Sequence, residues 1–95
     1  MSTKDAYVKK LHAKLDEWNA QIDKMKAKAD QAEADSRIEY NKRIAELQEK
    51  RNETKEKLET LREAGEGAWE DLKSGVQLAV ESMEEALASA KSRFQ

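Results

Sequence analysis

Ninety-five residues suffice for one small domain, and 40% charged with 38% hydrophobic residues is too polar for a many-layered core. Five aromatics, three glycines and no proline match the composition of long helices and coiled coils. The absence of cysteine excludes disulfides and thiolate metal sites, and a net charge of −2 argues against a strongly basic nucleic-acid binder.

The chain opens with Ser2-Thr3-Lys4-Asp5, which reads as a helix start: a small hydroxyl for the first free amides, then an acid at the positive end of the helix dipole. An apolar stripe follows. Val8, Leu11, Leu15, Trp18, Ile22, Met25, Ala29 and Ala32 recur alternately three and four apart. After a change of phase, Tyr40, Ile44, Leu47, Leu58 and Leu61 resume it more sparsely, with Arg51 and Thr54 at two seam positions. This 3.5-residue period is how a helix buries one seam against another, and a disordered polar chain would lack it. Five acid-before-base pairs four residues apart add support: Asp5–Lys9, Glu33–Arg37, Glu39–Arg43, Glu46–Lys50 and Glu53–Lys57.

Nothing of glycine or proline type interrupts the chain before Gly65, so one helix over residues 3–64 is predicted, roughly 90 Å long. Between Ala32 and Ile44 the seam steps 4, 4, 4 through Ser36 and Tyr40. That is either a phase insertion within a continuous helix or a hidden turn near 30–36, since Ser36-Arg37-Ile38-Glu39 has the form of a capping box. Gly65-Glu66-Gly67 is the first clear break, with Gly65 and Gly67 as the hinge and a left-handed glycine expected past the helix end. A second amphipathic segment over about 68–94 presents Trp69, Leu72, Val76, Val80, Met83, Leu87, Ala90 and Phe94, with Leu78 and Ala79 widening the face. Joined by a short glycine loop, it folds back on the first helix. The chain is therefore a single all-α domain over 1–95, divided as 1–64, 65–67 and 68–95.

Charge bears on pairing. Residues 1–28 carry seven basic and four acidic side chains, net +3; residues 29–66 carry eight and eleven, net −3. Parallel pairing places like against like, whereas antiparallel pairing joins basic to acidic. A straight helix over 3–64 leaves the seam of Leu11, Leu15, Trp18, Ile22, Met25, Ala29 and Ala32 uncovered in one chain, so an antiparallel coiled-coil homodimer is expected. A monomeric three-helix bundle turning near 30–36 is the alternative, and it satisfies the same charge complementarity.

Chemistry-bearing groups are sparse. His12 and Asp16 form an i,i+4 pair, but no other histidine or cysteine completes a metal site. Glu81, Glu84 and Glu85 lack the oxygen-rich loop of a calcium site. Gly65-Glu66-Gly67 follows no strand, so it does not read as a phosphate loop. No catalytic set, cofactor site or metal site is expected, and Trp18 and Trp69 read as core anchors. Lys4, Lys9, Lys10, Lys14, Lys24, Lys26 and Lys28 are interleaved with acids, which weakens a nucleic-acid reading. Residues 68–95 have the shape of a membrane-surface helix but are acidic overall, against the usual preference. No signal-type apolar segment and no run of ~20 apolar residues appears, so a cytoplasmic protein is expected.

The segments KKLHAKLDEWNAQIDKMKAKAD, IEYNKRIAELQEKR and GAWEDLKSGVQLAVESMEEAL, in that order, resemble a family of small bacterial coiled-coil proteins grouped loosely under stress response. The likeness covers roughly residues 4–90, and LDEWNAQIDK and AWEDLKSGV are its most particular elements. It implies a helical, non-enzymatic, cytoplasmic protein and brings no catalytic residues. The functional expectation is a self-associating coiled-coil or scaffold protein. The alternative is an amphipathic adaptor binding a membrane surface or partner helix through residues 68–95.

Overall fold

The computed structural model describes residues 3–93 and is built from three helices: α1 (Thr3–Gln31), α2 (Ala34–Glu63) and α3 (Trp69–Arg93). They form an up-down-up bundle, a rod of 51 × 19 × 18 Å. Side-chain contacts establish the directions. Lys4 at the start of α1 reaches the carbonyls of Arg62 and Ala64 at the end of α2, and Arg93 at the end of α3 pairs with Glu39 near the start of α2. Helix α2 is central, with α1 and α3 packed along it.

In the single chain the continuous helix expected over 3–64 is broken. The chain turns at Ala32–Glu33, inside the stretch where the alternative reading placed a break. A straight rod would hold the α1 stripe in water; folding back lays that stripe on α2 within the same chain, and helices of this length are stabilised chiefly by such packing. The turn is spare. The Ala32 amide donates to the Ala29 carbonyl at 3.1 Å, tightening the last turn of α1. Glu33 is extended (φ −67°, ψ 160°) and its side chain makes no cap. The Arg37 amide then donates to the Glu33 carbonyl at 2.8 Å and starts α2. Ser36 thus lies inside α2, and the capping box suspected at 36–39 is not the helix start.

The second turn corrects the glycine expectation. Neither glycine adopts the left-handed conformation. Ala64 leaves the helix by becoming extended (φ −70°, ψ 148°) while its amide donates to the Leu61 carbonyl at 3.1 Å. That exit needs no positive φ. The Gly65 carbonyl then accepts from the amides of Ala68 and Trp69 at 3.0 and 3.2 Å, which begins α3.

One apolar core runs the length of the rod: Val8, Leu11, Leu15, Trp18, Ile22, Met25 and Ala29 from α1; Ile44, Leu47, Leu58 and Leu61 from α2; Trp69, Val76, Val80, Met83, Leu87 and Ala90 from α3. Thr54, 0% exposed, sits among them. Its hydroxyl donates to the Lys50 carbonyl one turn back at 2.9 Å, so the polar atom is satisfied inside its own helix. Leu72 and Leu78 depart from expectation. Leu72 is 37% exposed and Leu78 67%, because the α3 face that meets α2 is the narrower stripe through Trp69, Val76, Val80 and Met83. Phe94 and Ser2 lie outside the described residues.

Leu61, fully enclosed, and Leu72, at the rim, give a direct check on the assigned faces. Leu61→Ala is expected to cost about 2–5 kcal/mol and Leu72→Ala below about 1 kcal/mol, read by thermal and urea melts. Equal losses at the two positions would show that the α3 face is misassigned.

Candidate functional site

The seam predicted for self-association is the α1–α2 interface of a single chain. Leu11, Leu15, Trp18, Ile22, Met25, Ala29, Ile44, Leu47, Leu58 and Leu61 are all buried there or against α3. Ala32 is half-buried in the turn, and Tyr40 is half-buried with its side chain packed on the core. Of the residues assigned to packing of the last helix, Trp69, Val76, Val80, Met83 and Leu87 are buried and Leu72 is at the edge. The cover expected from a second chain comes from the same chain.

Sequence reasoning missed the groups that fasten this seam. The Arg37 guanidinium reaches back across the first turn and donates to two α1 carbonyls and one in the turn: Ala29 at 3.3 Å through Nε, and Asp30 at 3.4 Å and Ala32 at 3.1 Å through Nη2. These carbonyls lie at the C-terminal end of α1, where intrahelical donors run short and the dipole favours a cation; the Ala29 carbonyl also accepts from the Ala32 amide. At the opposite end Lys4 Nζ does the same for α2, donating to the carbonyls of Arg62 at 3.1 Å and Ala64 at 2.8 Å. Each of the two helices therefore caps the other's C-terminal end. Arg51 adds a tie at mid-seam, donating to Asn19 Oδ1 at 2.9 Å. In a chain with 18 basic residues, position alone did not single out Lys4 or Arg37, and Arg51 was placed on the seam without a partner.

The pairs expected along single helices are partly redirected. Glu39 meets Arg93 of α3 at 3.2 Å, Glu46 meets Arg43 one turn back at 3.3 Å, and Arg37 is spent on carbonyls. Lys14–Glu84 at 2.8 Å ties α1 to α3, and Lys50 donates to Ser82 Oγ at 2.7 Å between α2 and α3. Glu84 of the acidic trio is thus engaged in an ion pair.

Two further features are local. Near the α2–α3 turn, the rings of Tyr7 and Trp69 lie 6.1 Å apart at 40°, with Lys73 Nζ over both, at 5.3 and 5.6 Å. The Tyr7 hydroxyl is enclosed without a hydrogen-bond partner, and burial raises its pKa above the ordinary 10. A half-open cavity of about 300 Å³ lies where α1, α2 and α3 meet, lined by Met25, Leu87 and Ala90 with Lys24, Lys28 and Lys91. His12 and Asp16 share a wider surface cleft with Asp23 and Arg51. Among the described residues, no three metal-ligating side chains come together. Among them, too, no helix is long and apolar enough to cross a membrane.

Compared with protein-family models, with curated proteins and with solved structures, the chain finds no match in any of the three.

Arg37→Ala is expected to lower the stability of the folded chain by about 1 kcal/mol, the scale of a partly exposed cation on helix carbonyls. Arg37→Lys should recover only part of it, because an ammonium lacks the guanidinium fork that spans several oxygens. A melt of Arg37→Ala that overlays the parent would show that the contacts carry no net stability. For Tyr7 the sign follows from the raised pKa. The folded chain holds the proton more tightly than the unfolded one, so this contribution is intact below pH 10 and is lost as the pH climbs through the raised value. Tyr7→Phe should therefore melt no lower than the parent at pH 7 and lose less stability between pH 9 and 12. Parallel pH–stability curves would contradict this.

Proposed function

We propose that this chain is a non-enzymatic, self-associating helical protein that works in the cytoplasm in a stress-related setting, as the family resemblance implies. Support rests on one observation, the self-complementarity of the α1–α2 pairing. The two helices run antiparallel about a turn at the middle of residues 3–63, so the two halves of this stretch lie side by side, start against end. Lys4 against the carbonyls of Arg62 and Ala64 marks that register at the far end. The basic first third thereby faces the acidic middle third. A surface with this two-fold character serves two copies as well as two halves of one copy.

The adaptor alternative needs the apolar face of residues 68–95 to be available. In the described part of that segment, Trp69, Val76, Val80, Met83, Leu87 and Ala90 are spent on the core, which leaves Leu72 and Leu78 as its exposed large apolar side chains. Exposed apolar groups of that kind are ordinary on a small protein surface.

Sedimentation velocity and light scattering over a wide concentration range test the proposal. The mass is expected to rise from 10.9 kDa to twice that value as concentration increases. A constant 10.9 kDa, together with stoichiometric binding to neutral or anionic vesicles, would replace self-association with the adaptor reading.

A further inference from the structure

We infer that self-association occurs by exchange of α1: the turn at Ala32–Glu33 straightens, α1 and α2 become one helix, and α1 of each chain docks on α2 of a second copy. This rests on the self-association reading above and adds to it a mechanism and a switch.

The turn is suited to both states. It is two residues long, contains neither glycine nor proline, and uses no positive φ. Glu33, at the cap position, supplies no side-chain hydrogen bond. Alanine at 29, 32 and 34 favours helix, and nothing in the local sequence opposes helical continuation. The stripe also keeps helical spacing through the turn: Met25, Ala29, Ala32, Ser36, Tyr40 and Ile44 are separated by 4, 3, 4, 4 and 4 residues. On a straight helix these positions remain on one side. Short hinges between packed elements are where chains exchange equivalent parts.

Exchange preserves nearly every contact. An antiparallel pair of straight helices related by a two-fold axis at Ala32–Glu33 places Lys4 of one chain at the carbonyls of Arg62 and Ala64 of the other. It returns Arg51 to Asn19 in the same way. Helix α3 stays on its own α2, so the Lys14–Glu84 bridge re-forms between chains. The product is an elongated dimer with a three-helix bundle at each end. Lost on straightening are the Ala32–Ala29 backbone bond and the Arg37 latch on Ala29, Asp30 and Ala32; gained are the helical backbone bonds across residues 29–37. Arg37 is thus the side chain that favours the bent state alone.

Two kinds of measurement on the full chain test this. Ala20 and Ala45 are exposed and lie at equal chain distances on either side of the Ala32–Glu33 turn. Cysteines at these positions, spin-labelled and diluted into excess unlabelled chain, report the distance within one chain. The bent chain holds the labels under about 25 Å apart, two helix widths; the straight helix separates them by about 38 Å, 25 residues at 1.5 Å each. A dimer with the long distance is the expected result. Ala34→Pro provides the second arm. Proline suits the first position of α2, and Glu33 before it already has the extended backbone that proline requires. In a continuous helix the same proline would be interior and disruptive. Ala34→Pro should leave the monomer's melt unchanged or raised, and weaken the dimer roughly a hundredfold or more. Arg37→Ala should shift the balance toward dimer. A dimer that keeps the short distance, or one unaffected by Ala34→Pro, would overturn exchange and leave self-association standing. A monomer at every concentration would overturn both.

Discussion

The fold depends on covering the apolar face of α1. Seven buried side chains lie along that helix, from Val8 to Ala29, and a helix of this length draws most of its stability from packing. Its cover, α2, is a poor one by itself, contributing only Ile44, Leu47, Thr54, Leu58 and Leu61 across thirty residues. Helix α3 makes up the deficit with Trp69, Val76, Val80, Met83, Leu87 and Ala90, which share the core with both partners. The most polar helix is therefore central. It meets both α1 and α3, and Thr54 is buried among the apolar groups with its hydroxyl satisfied inside α2.

Charges add direction more than strength. The ion pairs are exposed on at least one side, and pairs of this kind contribute little individually. Arg37 and Lys4 differ because their targets are fixed backbone oxygens at helix ends. A cation held there specifies where one helix must stop relative to the start of another. Two such contacts, one at each end of the α1–α2 pair, define orientation and register together. The opposite net charges of the first and middle thirds act in the same sense over longer range.

The core was legible in the sequence because burial leaves a periodic trace. Residues Val8 to Ala29, Ile44 to Leu61 and Trp69 to Ala90 fall on the stripes that spacing alone defines. The turn at Ala32–Glu33 was not legible to the same degree. It uses no turn-forming residue type, and its fastening comes from Arg37, whose sequence surroundings match those of many helical arginines. The glycines misled in the opposite direction. Gly65 and Gly67 marked the second turn correctly, but the chain leaves α2 through an extended Ala64, so the left-handed conformation is not used. Leu72 was overassigned because a three-four spacing identifies a stripe without saying how wide the neighbouring helix is.

Under the proposed exchange, the bent and straight forms are separated by kinetics as well as by concentration. Each helix of the bundle packs on the one adjacent in the chain, and such local connectivity closes rapidly. A newly folding chain thus reaches the hairpin before it meets another copy. Conversion afterwards requires α1 to leave α2, exposing the stripe from Val8 to Ala29 and releasing Lys4 and Arg37 from their carbonyls. The barrier is consequently set by the whole interface, whereas the equilibrium is set by the few groups at the turn that differ between the two forms. Substitutions along the seam change how quickly the forms interconvert, while those at residues 32–37 change which one prevails. This division follows from having a strong interface on either side of a weak hinge.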